Sequence, residues 1–164
     1  MELRRIGKHE GARLRELRLR ALRDAPHAFA TTFEQAQARP PQHWEDFAVK
    51  SEVAETQVTL VVVDDARWLA MASCFLDDQE PHTAWLVQMW VEPESRGLGL
   101  GRRLVEAAAD WARARGVTRL KTSVSEGNAA AEALYEAVGF RPTGERAPLA
   151  SNPSVAEIGL TREL

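Results

Sequence analysis

Residues Arg96-Gly97-Leu98-Gly99-Leu100-Gly101-Arg102-Arg103 set three glycines at alternate positions between arginines. Glycine lets a backbone turn tightly with its N–H groups converging outward, and a helix N-terminus adds roughly half a positive charge. Placed between a strand ending at Val91 and a helix starting near Leu100, such a loop would cradle an anion, and a pyrophosphate in particular. A Walker loop would need Lys followed by Ser or Thr after its last glycine, and Arg102-Arg103 does not supply them. A dinucleotide fingerprint would need G-x-G-x-x-G at the opening of a βαβ unit, whereas the spacing here is G-x-G-x-G after a run of strands. Taken alone, the three glycines also fit a purely structural turn.

A second constellation lies about thirty residues on. Asn128-Ala129-Ala130-Ala131 opens a helical pattern, Leu134-Tyr135 follows seven residues after the Asn128 cap, and Gly139-Phe140 ends it. Asparagine is a good N-cap. Tyr135 is the only tyrosine of the chain, and a phenol with an ordinary pKa near ~10 stays protonated at neutral pH, as a proton donor must. The same ring also suits a core position beside Ala131, Leu134 and Val138.

The elements that must hold these residues follow from hydrophobic period. Glu2 to Ile6 reads as a short strand, and Leu14, Leu17, Ala21 and Leu22 mark one face of a helix between His9 and Arg23. Asp24-Ala25-Pro26 stops it. Thr31-x-x-Glu34 offers a capping box for a short helix, and Pro40-Pro41 precedes another carrying Trp44, Phe47 and Ala48. Val58 onward gives three consecutive antiparallel strands, VTLVVVD, WLAMASCFL and TAWLVQMWV. A helix closed by Gly116, the strand VTRLKTSV, the Asn128 helix and a last strand VAEIGLTREL complete the order, with Arg146 to Ser154 read as a Pro-containing loop. The fold expected is α/β (α+β), a mixed and mostly antiparallel sheet of about 6–7 strands flanked by about four helices.

The chain has 164 residues, which predicts one domain spanning 1–164. No stretch approaches the ~20 apolar residues of a membrane span. The charged N-terminus lacks an export core, and lone Cys74 cannot form an internal disulfide, so a cytoplasmic address is expected, with no membrane partner. The net charge of -3 argues against nucleic-acid binding. It hides an asymmetry: residues 51–94 carry nine acidic and one basic side chain, while both flanks are net basic. That acidic middle is compatible with a cationic acceptor, and equally with nothing but solubility.

Taken together, Arg96-x-x-Gly99-x-Gly101, the preceding Val91-Glu92-Pro93 and the N-x-x-A-x-x-L-Y-x-x-x-G-F run from Asn128 to Phe140 resemble the GNAT (general control-related) N-acetyltransferase superfamily. Its acetyl-CoA signature is Q/R-x-x-G-x-G/A, and the likeness is close over about residues 54–142. The resemblance implies direct transfer of acetyl from acetyl-CoA to a primary amine of a small molecule or peptide, through a tetrahedral intermediate and without a metal. The alternative is a non-catalytic acyl-CoA-binding or sensor domain.

Carried over position by position, the resemblance implies that acetyl-CoA lies in a wedge between two splayed parallel strands, 84–91 and 118–124. The backbones of Met89, Trp90 and Val91 would bond the pantetheine arm and face the oxyanion. Arg96, Gly97, Leu98, Gly99, Leu100, Gly101 and Arg102 would hold the pyrophosphate, Asn128 would touch the cofactor, and Tyr135 would be the general acid. Relatives often form homodimers. The carboxylate that several relatives use as general base is missing here, where Ser123 and Gln88 to Trp90 stand; Glu126, Glu92 or His82, reached through water, are the substitutes. His27, Phe29, Trp44 and Asp46 are the candidate walls of the acceptor site.

Overall fold

The computed structural model describes all residues, 1–164. Its elements are β1 (Glu2–Arg5), α1 (Gly11–Asp24), α2 (Phe33–Ala38), α3 (Pro41–Val53), β2 (Gln57–Asp64), β3 (Arg67–Leu76), β4 (Thr83–Val91), α4 (Leu100–Arg113), β5 (Arg119–Ser125), α5 (Ala129–Ala137), β6 (Arg141–Leu149) and β7 (Asn152–Glu163). The seven strands form one sheet in the order β1-β2-β3-β4-β5-β7-β6. Only β4 and β5 run parallel. A mixed, mostly antiparallel sheet is therefore observed, with five helices where about four were expected.

The central run of β2 explains the layering. Successive strand side chains point to opposite faces. Leu60 and Val62 pack with Leu104 and Val105 of α4, while Val61 and Val63 pack with Leu14 and Leu17 of α1. Both faces are covered, which is why the strand is an unbroken apolar run instead of an alternating one.

Two sequence expectations shift. The capping box of α2 is built on Thr32 and Gln35, one residue beyond the Thr31/Glu34 pair: the Thr32 hydroxyl accepts from Gln35 N–H at 3.1 Å, and Gln35 Oε1 accepts from Thr32 N–H at 3.0 Å. The stretch 146–154 is mostly hairpin, not loop, since β6 extends to Leu149 and β7 begins at Asn152. Pro142 and Pro148 are tolerated because β6 is an edge strand with one side unpaired.

Candidate active site

The parallel pair β4/β5 is short. It pairs Thr83 with Arg119, Ala84 with Leu120 and Trp85 with Lys121, and stops there. One residue further on, the Thr122 hydroxyl donates to the Leu86 carbonyl at 2.8 Å, replacing the next backbone bond with a side-chain one. β4 also carries a bulge: Met71 faces Trp90 and Ser73 faces Val87, so β4 uses three residues where β3 uses two. Gln88, within the bulge, has φ +57°.

A buried chain of hydroxyls anchors that bulge. Gln57 Nε2 donates to Ser51, Ser51 pairs with Thr59 at 3.0 Å, Thr59 with Ser73 at 2.8 Å, and Ser73 donates to Gln88 Oε1 at 3.2 Å. An amide nitrogen can only donate and an amide oxygen can only accept, so the two ends fix one direction for the whole chain. The Gln88 amide nitrogen keeps both donors for the gap beyond.

Two adjoining cavities fill the splay. One, of about 550 Å3, follows the N-terminus of α4. The other, of about 400 Å3, lies between β4 and β5, and Phe29, Met89, Asn128 and Ala131 belong to both walls.

The glycine loop forms the first cavity through its backbone. Gly97 and Gly99 have φ +79° and +76°, a region in which side-chain-bearing residues are strained. No side chain caps α4, and the first backbone bond into it runs from Arg103 N–H to the Gly99 carbonyl at 3.1 Å. Helix geometry leaves the N–H groups of Leu100, Gly101 and Arg102 without intrahelical acceptors. All three residues line the cavity. Gly101 serves packing instead, since a Cβ there would sit 2.9 Å from Leu134 Cδ2.

Of the residues the sequence assigned to this cavity, Met89, Trp90, Val91, Arg96, Gly97, Gly99, Leu100, Gly101, Arg102 and Asn128 all line it. Leu98 does not. Its side chain is 56% exposed, as befits the outward residue between two left-handed glycines. Arg96 is committed within the protein: Nε donates to the Val91 carbonyl at 3.0 Å and the guanidinium pairs with Asp24. Asp24 Oδ2 also accepts from the Trp90 indole at 2.8 Å, so this arginine ties the loop to β4 and α1. Arg102 points toward the Ala137 carbonyl at 3.4 Å, and Arg103 is not on the wall. Asn128 caps α5, its Oδ1 accepting from Ala131 N–H at 3.3 Å, while lining both cavities.

Tyr135 lines the second cavity, not the first. Its ring packs edge-on against Phe140, centroids 5.3 Å apart. Burial pushes the phenol up to about 12, against a smaller downward pull from the Thr122 hydroxyl.

The proton-acceptor substitutes fare poorly. Glu92 is buried and ion-paired with Arg20 and Arg67. Glu126 is exposed and engaged by Arg146 at 2.9 Å. His82 precedes β4, at the end of the strand away from the splay, and bonds the Gly116 carbonyl at 2.9 Å. Ser123 and Gln88 do line the second cavity. Of the acceptor-wall candidates only Phe29 does so; Trp44 is in the core beside α1, and Asp46 is bonded by Gln42.

The acidic middle of the chain does not face the gap either. Glu55 pairs with Arg115 and Glu80 with Lys121, and Asp77 caps its turn by accepting from Gln79 N–H at 2.8 Å, while its other oxygen accepts from the Trp85 indole at 2.7 Å. The two charged residues that do line the second cavity, Arg18 and Glu157, escaped the sequence reading. Arg18 sits four residues from both Leu14 and Leu22, inside the apolar face of α1, a charge where an apolar side chain belongs, and Glu157 is placed only by the β5/β7 register, opposite Ser125.

Comparison with known proteins agrees with this geometry. Residues 14–140 match the model of the Acetyltransferase (GNAT) family. The mycothiol acetyltransferase of Beutenbergia cavernae is 34% identical over 131 residues, 80% of this chain and 41% of that protein. The [ribosomal protein bS18]-alanine N-acetyltransferase of Salmonella typhimurium is 35% identical over 99 residues, 59% of this chain and 64% of that protein. The chain thus spans about two fifths of the length of the mycothiol acetyltransferases it matches. A GNAT-family acetyltransferase from Streptococcus pneumoniae superposes with a TM-score of 0.86 at 20% identity, covering 99% of this chain and 98% of that one. The yncA structure from Salmonella typhimurium, solved with its cofactor acetyl-CoA, gives 0.79 at 20% identity over 100% and 94%. With the family model covering most of its length, and the splayed strands and glycine loop in the expected places, this chain belongs to the acetyltransferase (GNAT) family.

Proposed function

We propose that residues 1–164 act as one N-acetyltransferase domain that moves an acetyl group from acetyl-CoA directly to a primary amine. The observation that carries this reading is the splay of β4 from β5, which opens one cavity at the unpaired amides of α4 and another at Tyr135. The cosubstrate supplies the acetyl group as a thioester. Its fit rests on a cradle of free backbone donors at a helix start, sized for a pyrophosphate.

In the reaction the substrate ammonium loses one proton to become the attacking amine, a C–N bond forms, the C–S bond breaks, and the nitrogen gives up a second proton. One ends on the departing sulfur through Tyr135; the other leaves by water beside Glu157. Those backbone N–H groups of Met89 to Val91 that face the splay stabilise the oxyanion. A phenol raised to about 12 is a weak acid in water. The same dry surroundings raise the basicity of a thiolate, which narrows the gap the proton must cross. Cys74 has no part in this: it is fully buried on β3, and burial raises its thiol to about 12, so no acyl-enzyme forms on it.

The relatives are named for different acceptors, mycothiol and a ribosomal-protein alanine among them, so their names select no acceptor here. Release of free thiol from acetyl-CoA, followed across a panel of amines and peptides, tests the proposal. Turnover with equimolar acetylated amine supports it. Acetyl-CoA binding without turnover across the panel replaces it with a sensor domain.

A further inference from the structure

The wall of the second cavity carries two unneutralised charges of opposite sign. Arg18 reaches it from α1 and is 7% exposed. Its guanidinium carbon lies 4.3 Å from the centroid of the Phe29 ring, and Nη1 is buried with no hydrogen-bond partner. No carboxylate pairs with it, and the charged neighbour it feels is another cation, Arg39. Burial lowers it only to about 10, so it remains a cation at neutral pH. A buried cation with a ring face for company and nothing else is destabilising unless a partner arrives. The one other buried charge of the chain, Glu92, has its partners inside the protein, Arg20 and Arg67.

Glu157 stands in the sheet beneath, opposite Ser125 in the β5/β7 register and on the same cavity wall. It is the only carboxylate on that wall, and it is not within ion-pair distance of Arg18 or of any other cation. The space is closed over by the turn after α1: Ser125 donates to the His27 carbonyl and Ser151 to the Phe29 carbonyl. At about 400 Å3 it admits a small molecule.

We propose that the acceptor is a small zwitterion, an amine that carries its own carboxylate, with the carboxylate held by Arg18 and the ammonium drawn toward Glu157. The planar guanidinium fork suits a carboxylate, and a dry site strengthens the pair. This inference rests on the acetyl-transfer reading above.

The test uses the full chain and the common L-amino acids, ω-amino acids, their carboxamides and the matching aminoalkyl phosphonates. In the thiol-release assay the best carboxylate is expected to exceed its own carboxamide by about 100-fold in kcat/KM, the size of a lost charge-assisted bond in a desolvated site. In Arg18→Met that ratio falls to about threefold or less, with the acetyl-CoA KM unchanged. Arg18→Lys recovers part of it. Replacing a buried unpaired cation by Met leaves the melting temperature the same or higher, so misfolding does not mimic the result.

A second readout needs no turnover: thermal shift of the protein with CoA and each acid or amide. If the thiol assay is silent for every amine, acetyl transfer fails, and the present inference is judged on this arm alone. Acids that stabilise the wild type and not Arg18→Met support it. Equal shifts for acid and amide, equal shifts for wild type and variant, no shift with any acid, or a preference for the phosphonates overturns it.

Discussion

The Thr122 hydroxyl donates to the Leu86 carbonyl at 2.8 Å, one residue past the last backbone pair between β4 and β5. A side chain thus finishes the parallel ladder, and the strands part beyond it without leaving that carbonyl unpaired. Thr122→Val keeps the shape and removes the donor. The expected loss is about 1–2 kcal/mol in urea unfolding, from an acceptor left buried and unsatisfied. A rise in the acetyl-CoA KM accompanies it, because the mouth of the wedge loosens.

Tyr135→Phe removes the phenolic proton and keeps the ring on Phe140. The expected result is a fall in kcat of about 100-fold or more at saturating acetyl-CoA, with its binding unchanged by calorimetry. Unaltered turnover would remove Tyr135 from the mechanism.

The same residue makes a pH prediction. Its phenol is raised in the folded protein to about 12, from an unfolded value near ~10. A group raised on folding contributes stability fully below its unfolded pKa and loses it as pH rises through the folded one. Stability of the wild type is therefore expected to decline between about pH 10 and 12, more steeply than that of Tyr135→Phe in the same unfolding series. Turnover is expected to show no falling limb from this phenol below about pH 10.

Gly99 sits at the N-cap of α4 with φ +76° and open space where a Cβ would be. Gly99→Ala therefore meets no clash, only backbone strain, of about 1–2 kcal/mol. Relaxation of that strain turns the free amides away, so weaker binding of acetyl-CoA and of CoA alike is expected by calorimetry.

Cys74 tests the absence of a covalent route. A thiol buried and raised to about 12 is expected to resist Ellman's reagent at pH 8 in the native protein and to react at once in denaturant. Cys74→Ala is expected to lower stability by about 1 kcal/mol and leave kcat intact.

Glu157→Gln is expected to raise the KM for the amine and lower kcat/KM by about tenfold near pH 7, with less effect as the pH approaches that of the free amine. Unchanged amine kinetics would assign the proton route to water alone.

Legibility in the sequence followed how local each feature is. The glycine loop was legible because its backbone conformation depends on the residues that adopt it, Gly97 and Gly99 with positive φ. The Asn128 cap and the Gly139 stop are equally local, and Tyr135 came with them. Arg96 lines the first cavity, but its bond to Asp24 joins positions far apart in sequence and gives it a structural task. The pairing of the acidic segment was hidden for the same reason: Glu55, Glu80 and Glu92 look free along the chain and are paired across it.

By itself, then, the sequence determined the order of elements up to α5, the glycine loop between β4 and α4 and the position of the one tyrosine. Each of these depends on short-range backbone preference or on hydrophobic period. Tertiary structure alone decided which charges stay unpaired, where the hydroxyl chain from Gln57 to Gln88 ends, and that Arg18 and Glu157 share a wall. Charge pairing and cavity lining depend on register and packing between distant segments, and a one-residue slip of β7 against β5 would turn Glu157 to the other face of the sheet.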